Sequence, residues 1–183
     1  MQMTDKYSKV ALRKSGKGGF TLIELLIYTG ILILLVAVVG STLLSMGRAY
    51  RSLVAEQAVE SAGRVGLERM ARETRNAHGI DLSGSTFGTS PGQLSLSTID
   101  EDGTPIIVQF FLSGESLHVR EGGLDQGPLT GTATRVTNLI FRKITTEKST
   151  AVKIEMTVES GTSSAYHVRS FYDTSILRPS YTQ

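Results

Sequence analysis

The chain has 183 residues, among them 19 lysines and arginines, 17 aspartates and glutamates, and no cysteine. This length is enough for one domain with a modest core and leaves no room for a second large domain. The absence of cysteine excludes disulfides and thiolate metal sites.

The N-terminal region joins a basic leader to a long apolar segment. Residues 1–19 carry a net charge of +4, and residues 25–46 carry no charged side chain. As a helix, the apolar segment would be about 30 Å long, enough to cross a bilayer. The positive charges predict that the N-terminus is cytoplasmic and that the chain after Met46 lies across the membrane. Signal peptides usually have a shorter apolar region, so we expect a retained anchor over residues 20–46.

Glu24 is the one acid at the start of this apolar segment. A carboxylate at the edge of hydrocarbon is costly, which indicates a function. The string Lys17-Gly18-Gly19-Phe20-Thr21-Leu22-Ile23-Glu24-Leu25-Leu26 resembles the processing motif of type IV prepilins and type II secretion pseudopilins. The resemblance implies that a prepilin peptidase removes residues 1–19 by cutting the Gly19–Phe20 bond and methylates the new amine of Phe20. It also implies that Glu24 docks one subunit onto another.

A physical reason for this motif follows from the two charges involved. Cleavage would create a positive amine on Phe20, one helical turn from Glu24. Pairing the carboxylate of one subunit with the amine of its neighbour would lower the cost of burying both and fix their axial offset. The apolar helices would then form the core of a helical filament through a contact that does not close.

The resemblance also implies partners and a location. The partners are the prepilin peptidase, other pilin or pseudopilin subunits, the inner-membrane assembly platform and the membrane, and no cofactor is expected. The protein would lie in the cytoplasmic membrane before assembly and in a pilus or pseudopilus afterwards. No proline precedes Pro91, whereas the family's major pilins often have one in the membrane helix, so a minor subunit is favoured.

Residues 47–78 are predicted to continue the helix as an amphipathic segment. Small or apolar residues recur at three- and four-residue spacing: Ala55, Val59, Ala62, Gly66, Met70 and Thr74. We interpret this stripe as a face that packs on a sheet rather than a cofactor site. A second face carries charges at four-residue spacing: Glu56, Glu60, Arg64, Glu68 and Arg72. We interpret it as a solvated face, favouring the pairs Glu60–Arg64 and Glu68–Arg72.

The β-rich remainder is predicted to span residues 79–183. It begins with a Gly-, Ser- and Thr-rich loop over residues 79–92, followed by six segments with strand character: Gln93–Ile99, Pro105–Leu112, Ser116–Arg120, Val136–Arg142, Ala151–Val158 and Tyr166–Tyr172. Turn pairs separate neighbouring segments at Asp102-Gly103, Ser113-Gly114 and Ser160-Gly161, which predicts an antiparallel meander. The expected fold class is α+β, a long N-terminal helix packed on an antiparallel sheet, as in pilins.

Few other residues suggest chemistry. Asp100 and Asp102 form a carboxylate cluster that is a weak calcium candidate, and we favour a solvated hairpin turn. The three histidines lie in separate segments without the spacing of metal ligands: His78, His118 and His167. No phosphate loop or nucleophile motif is present, so an enzyme is not expected. Residues 20–183 contain 14 basic and 16 acidic residues, which predicts no specific nucleic-acid partner.

The sequence therefore predicts a non-enzymatic prepilin-like subunit, a minor component of a type IV pilus or related filament. One alternative is a minor pseudopilin of type II secretion, which gene neighbourhood would distinguish. The other is a single-pass, membrane-anchored binding module that never polymerises. Substitution of Glu24 separates this second alternative, because an ordinary anchor does not need that carboxylate.

Overall fold

The structure is a computed structural model that describes residues 18–100, 102–162 and 165–178. Residues 1–17 of the predicted leader lie outside this described part. The chain divides into two compact units, Met1–Leu44 and Ser45–Gln183. The described residues form one long helix, α1 (Leu22–Asn76), and two antiparallel sheets. The α+β class is therefore confirmed.

Helix α1 contributes its first part to the first unit. The two predicted segments, 20–46 and 47–78, form one helix without a break, as expected from the lack of proline. Its most apolar stretch has a mean hydropathy of 2.7 over 18 residues and is 0% buried. By length and composition, the helix can span a membrane, as a membrane anchor near the N-terminus would.

The helix ends at Asn76, two residues before the predicted end. Arg75 lies in the last turn, where a cation favours the helix dipole. The backbone then leaves the helix because the His78 N–H bonds to the carbonyl of Ser97 at 2.8 Å, and a short strand follows. The first two residues of the predicted 79–92 loop, Gly79 and Ile80, therefore form a strand.

The first sheet has five antiparallel strands in chain order: β1 (Gly79–Ile80), β2 (Leu94–Ile99), β3 (Pro105–Ser113), β4 (Ser116–Glu121) and β5 (Leu124–Pro128). Strands β2, β3 and β4 confirm three predicted segments. Strands β1 and β5 were not predicted. The turn before β5 is Gly122-Gly123, with φ angles of 56° and 88°, as a tight hairpin requires.

The second sheet has three antiparallel strands in chain order: β6 (Thr134–Thr145), β7 (Thr150–Ser160) and β8 (His167–Ile176). All three predicted segments are confirmed; each strand ends later than predicted, and β8 begins at His167 rather than at Tyr166. The prediction of one sheet is wrong, because β5 and β6 do not pair and the chain starts a new meander at Thr134. A backbone bond from Val136 N–H to the Glu115 carbonyl, 2.8 Å long, links the two sheets.

The second unit has its core between α1 and the inner faces of both sheets. All six residues of the predicted helix stripe are buried, which confirms its interpretation as a packing face. Gly63 and Gly66 let the helix approach closely, since a Cβ on Gly63 would lie 2.2 Å from the Phe171 ring. The largest fully buried side chains come from the helix and both sheets: Phe110, Phe141, Met70, Leu94, Leu96, Leu117, Leu139, Ile154 and Met156.

The predicted charge pairs along the helix are wrong. Among the described residues, Glu60 forms its ion pair with Arg169 of β8, not with Arg64. Glu68 and Arg72 do not pair either, and Arg72 lies 3.8 Å from Glu73 instead. The physical reason is that β8 lies alongside the helix and offers a nearer cation to Glu60.

Candidate processing and docking site

The residues of the predicted processing motif lie where the helix begins. Gly18, Gly19 and Phe20 are exposed and not helical, and Phe20 is 75% exposed. The Thr21 hydroxyl accepts a hydrogen bond from the Glu24 N–H at 3.3 Å, as an N-cap residue does. The Gly19–Phe20 bond is therefore an exposed, non-helical peptide bond directly before a capped helix.

Thr21 was not singled out from the sequence, although a signal for it was present. Thr21-Leu22-Ile23-Glu24 matches the Ser/Thr-x-x-Glu pattern of a capping box. Only one half of that box is formed, from the Glu24 N–H to the Thr21 hydroxyl. The Glu24 side chain turns away from the cap, so the carboxylate is available to another partner.

Glu24 is partly exposed, and its carboxylate has one neighbouring donor. Its Oε1 accepts a hydrogen bond from the Tyr28 hydroxyl at 3.2 Å, one helical turn on. The Tyr28 ring also packs edge-on against Phe20, with centroids 6.1 Å apart and an interplanar angle of 74°. Phe20, Glu24 and Tyr28 therefore share one side of the helix start. The sequence reasoning missed Tyr28, whose four-residue spacing from Glu24 was the available signal.

Beyond this cluster, the apolar part of α1 exposes a large hydrophobic surface in its unit. Large side chains from Leu22 to Leu44 are about half or more exposed, for example Leu22 at 82% and Leu34 at 67%. Such a surface far exceeds the apolar patches of ordinary soluble proteins. By length and composition, this part of the helix is suited to a membrane environment.

Three hydroxyl groups within the apolar segment bond to the backbone of the helix itself. The hydroxyls of Thr29, Ser41 and Thr42 donate to backbone carbonyls three or four residues earlier, at 2.8 to 2.9 Å. A hydroxyl bonded in this way does not need water. The segment can therefore enter an apolar environment without leaving these donors unpaired.

Asp100 and Asp102, the calcium candidates, lie in the turn between β2 and β3. The Asp100 Oδ1 accepts from the N–H groups of Asp102 at 3.0 Å and Thr104 at 2.7 Å. This carboxylate is thus used to close the turn, helped by Gly103 with φ 83°. Calcium takes about six to eight oxygen ligands, and the described residues of this turn offer two carboxylates. The favoured interpretation, a hairpin turn, agrees with these bonds, and calcium binding stays the weaker, untested alternative.

Two of the three histidines have side-chain partners. His118 Nδ1 lies 3.1 Å from both carboxylate oxygens of Asp125, and the ring packs against Phe111. The N–H of Gly127 and the bond to His118 hold the pKa of Asp125 below its ordinary value. His167 Nε2 lies 2.8 Å from the Ser52 hydroxyl, which joins β8 to the helix.

Comparison with protein-family models, with curated proteins and with solved structures gave no match for this chain. Function is therefore inferred from the N-terminal residues and their geometry. Among the described residues, no group of three or more His, Asp or Glu side chains could hold a metal ion. The cluster around Glu24 thus remains the best candidate site.

Proposed function

We propose that this chain is a non-enzymatic, prepilin-like subunit of a type IV pilus or related pseudopilus. A prepilin peptidase cleaves it after Gly19 and methylates the amine of Phe20, and Glu24 docks the mature subunit in a filament. One observation carries the proposal: the motif from Gly18 to Glu24 leads into a continuous helix whose residues 25–46 carry no charged side chain.

The exposure of the Gly19–Phe20 bond supports cleavage at that bond. A protease needs its target backbone to be extended and accessible, and a helical peptide bond has its backbone groups paired. Here the helix starts only at Leu22, after the Thr21 cap. Cleavage would therefore leave the cap and every helical hydrogen bond intact.

The surroundings of Glu24 support its role in docking. The Tyr28 hydroxyl bonds to one carboxylate oxygen, and no other described side chain donates to this carboxylate. In an apolar environment, an anion with one neutral donor remains strongly attracted to a cation. The methylated amine of a neighbouring subunit supplies that cation and fixes the offset between the two chains.

The exposed apolar surface of α1 supports a role as an anchor and then as the filament core. Before assembly the surface faces lipid, with the N-terminus in the cytoplasm and the second unit across the membrane. After assembly the same surface packs against other subunits. The continuous helix, which has no proline from Leu22 to Asn76, favours a minor subunit.

The test is the incorporation of Glu24→Ala into filaments of the native host. We expect the variant to be cleaved and membrane-inserted, but absent from sheared filaments that contain the wild type. The matched control is Glu147→Ala, which removes an exposed acid in the turn between β6 and β7 and should be incorporated normally. Equal incorporation of Glu24→Ala and wild type would contradict the docking role. A wild-type chain absent from every filament would indicate an anchored binding module.

A further inference from the structure

The second unit has a groove of about 330 Å³ beside the first turns of its part of α1. One wall is the helix, with residues at three- and four-residue spacing: Arg51, Val54, Ala55 and Ala58, joined by Tyr50. The other wall comes from the start of β6 and the end of β7: Ala133, Ser160, Gly161, Thr162 and Ala165. The walls meet at Gly161, where a Cβ would lie 3.3 Å from the Cβ of Ala55. The backbone after β7 therefore packs directly on the helix.

The polar side chains of this groove include donors and no carboxylate. The described lining has one guanidinium group, that of Arg51, and three hydroxyls, but neither an aspartate nor a glutamate. The Ser160 hydroxyl already donates to the Ala133 carbonyl at 2.6 Å. The other polar groups face a lining that is otherwise made of small and apolar residues. Donors without an acidic counterpart suit an anionic ligand.

Two arginines give this surface an unbalanced positive charge. Arg48 lies three residues before Arg51, so both are on the same side of the helix. Neither forms an ion pair with another described residue, and the Arg51 Nε donates to the Gly47 carbonyl at 3.3 Å. No acid occurs in the sequence between Glu24 and Glu56, and Glu56 lines other grooves of the helix. The terminal nitrogens of both arginines can therefore bind an anion.

The position of these residues along α1 indicates which anion they meet. Residues 25–46 carry no charged side chain and have the length of a bilayer's hydrocarbon core. By helical rise, Arg48, Tyr50 and Arg51 lie about 3 to 8 Å beyond Met46. The headgroup layer on each side of the hydrocarbon is about 5 to 8 Å thick. Tyr50 is 68% exposed, and tyrosine is enriched in that layer. The anion available at this level is the phosphate of a lipid.

We infer that this surface of the second unit binds an anionic phospholipid. The lipid phosphate accepts hydrogen bonds from the guanidinium groups of Arg48 and Arg51, and the Tyr50 ring lies among the headgroups beside it. An anionic lipid is favoured over a zwitterionic one, because the cation of a choline or ethanolamine headgroup would lie near two uncompensated arginines. The inference rests on the membrane-anchor part of the proposed function and not on cleavage or filament docking.

Fluorescence quenching in vesicles tests the inference. The chain has no tryptophan, so Tyr50→Trp places a single reporter at this surface. The full-length variant is reconstituted in phosphatidylcholine with a minor fraction of lipid brominated near the glycerol end of its chains, either phosphatidylglycerol or phosphatidylcholine. We expect at least about threefold stronger quenching by the brominated phosphatidylglycerol. Adding Arg48→Gln/Arg51→Gln should make the two lipids equal. The matched control, Arg64→Gln/Arg75→Gln, removes two exposed arginines farther along the helix and should keep the preference.

Two further reporters separate this inference from the membrane anchor on which it rests. Leu35→Trp, within the apolar segment, should be quenched by phosphatidylcholine brominated near its chain ends. Tyr172→Trp, at an exposed position of β8, should be quenched by none of these lipids. Its neighbour Phe171 packs where a Cβ of Gly63 would lie, and Gly63 is about 25 Å along the helix from Met46.

The outcomes are distinguishable. Absence of quenching in Leu35→Trp would overturn the membrane anchor and the lipid site together. Quenching of Leu35→Trp combined with equal quenching of Tyr50→Trp by the two brominated lipids would overturn the lipid site alone. A preference for phosphatidylglycerol that survives Arg48→Gln/Arg51→Gln, or that Arg64→Gln/Arg75→Gln abolishes equally, would also overturn it.

Discussion

Thr21 sets the start of α1, because its hydroxyl bonds to the Glu24 N–H at 3.3 Å. Thr21→Ala removes this cap, at a typical cost of about 1 kcal/mol. We predict faster hydrogen exchange of the amides in the first helical turn, measured on the full chain in detergent. Thr29→Ala is the control, since the Thr29 hydroxyl bonds within the helix. Unchanged exchange in the Thr21 variant would show that the cap has no role.

Gly63 is required where the helix meets β8. A Cβ at Gly63 would lie 2.2 Å from the Phe171 ring, whereas a Cβ at Gly47 would meet nothing within 4 Å. We predict that Gly63→Ala lowers the free energy of unfolding by about 1 to 3 kcal/mol through overpacking. The matched change Gly47→Ala should instead stabilise the helix by up to about 1 kcal/mol. Urea unfolding measures both, and equal effects would contradict this packing.

At the scale of the elements, the outer face of the second sheet carries a pH-dependent contribution to stability. Hydrogen bonds from Lys153 on the same strand and from Arg142 on β6 hold the pKa of Glu155 below its ordinary value of 4.5. The unfolded chain therefore binds this proton more readily than the folded chain. The contribution of Glu155 to folding stability is present above pH 4.5. It is lost as the pH falls through the lowered pKa of this carboxylate.

Glu155→Gln tests this contribution. We predict that the difference in urea midpoint between wild type and variant is present at about pH 6 and shrinks as the pH falls toward about pH 3. Glu147→Gln, at an exposed turn, should show no such change. A difference that stays constant over this range would rule out a contribution from the lowered pKa.

The sequence predicted elements well where local patterns decide them. Apolar and polar residues alternate over residues 152–158, which identifies β7. Small and apolar residues at three- and four-residue spacing identify the packed face of α1. Strand β5, Leu124-Asp125-Gln126-Gly127-Pro128, lacks β-branched residues and exists because the Gly122-Gly123 turn returns it to β4. The split into two sheets and the Glu60–Arg169 pair depend on distant parts of the chain, which periodicity does not report.

In the candidate site too, the sequence predicted what a local motif specifies and missed what side-chain geometry determines. Gly19, Phe20 and Glu24 were predicted because the motif is local and specific in type and spacing, and their roles stay predictions. Tyr28, whose hydroxyl donates to Glu24, was not singled out from the sequence. Its role depends on the side-chain geometry at the helix start, and composition does not determine that geometry.

At the scale of the whole molecule, one chain combines an apolar helical unit with a unit that has its own core. The first unit has the length and composition of a membrane span, and the second folds around a hydrophobic core. These features match a subunit that is anchored first and assembled later. An ordinary anchor would share them, except for the motif from Gly18 to Glu24.

The most direct test is the intact mass and N-terminal sequence of the protein extracted from membranes of its native host. Our account predicts a chain that begins with N-methylated Phe20, and a Gly19→Ala variant that keeps residues 1–19. Gly30→Ala, a glycine of the apolar segment outside the motif, should be processed normally. A wild-type chain that keeps residues 1–19 in a host that processes other prepilins would contradict the account.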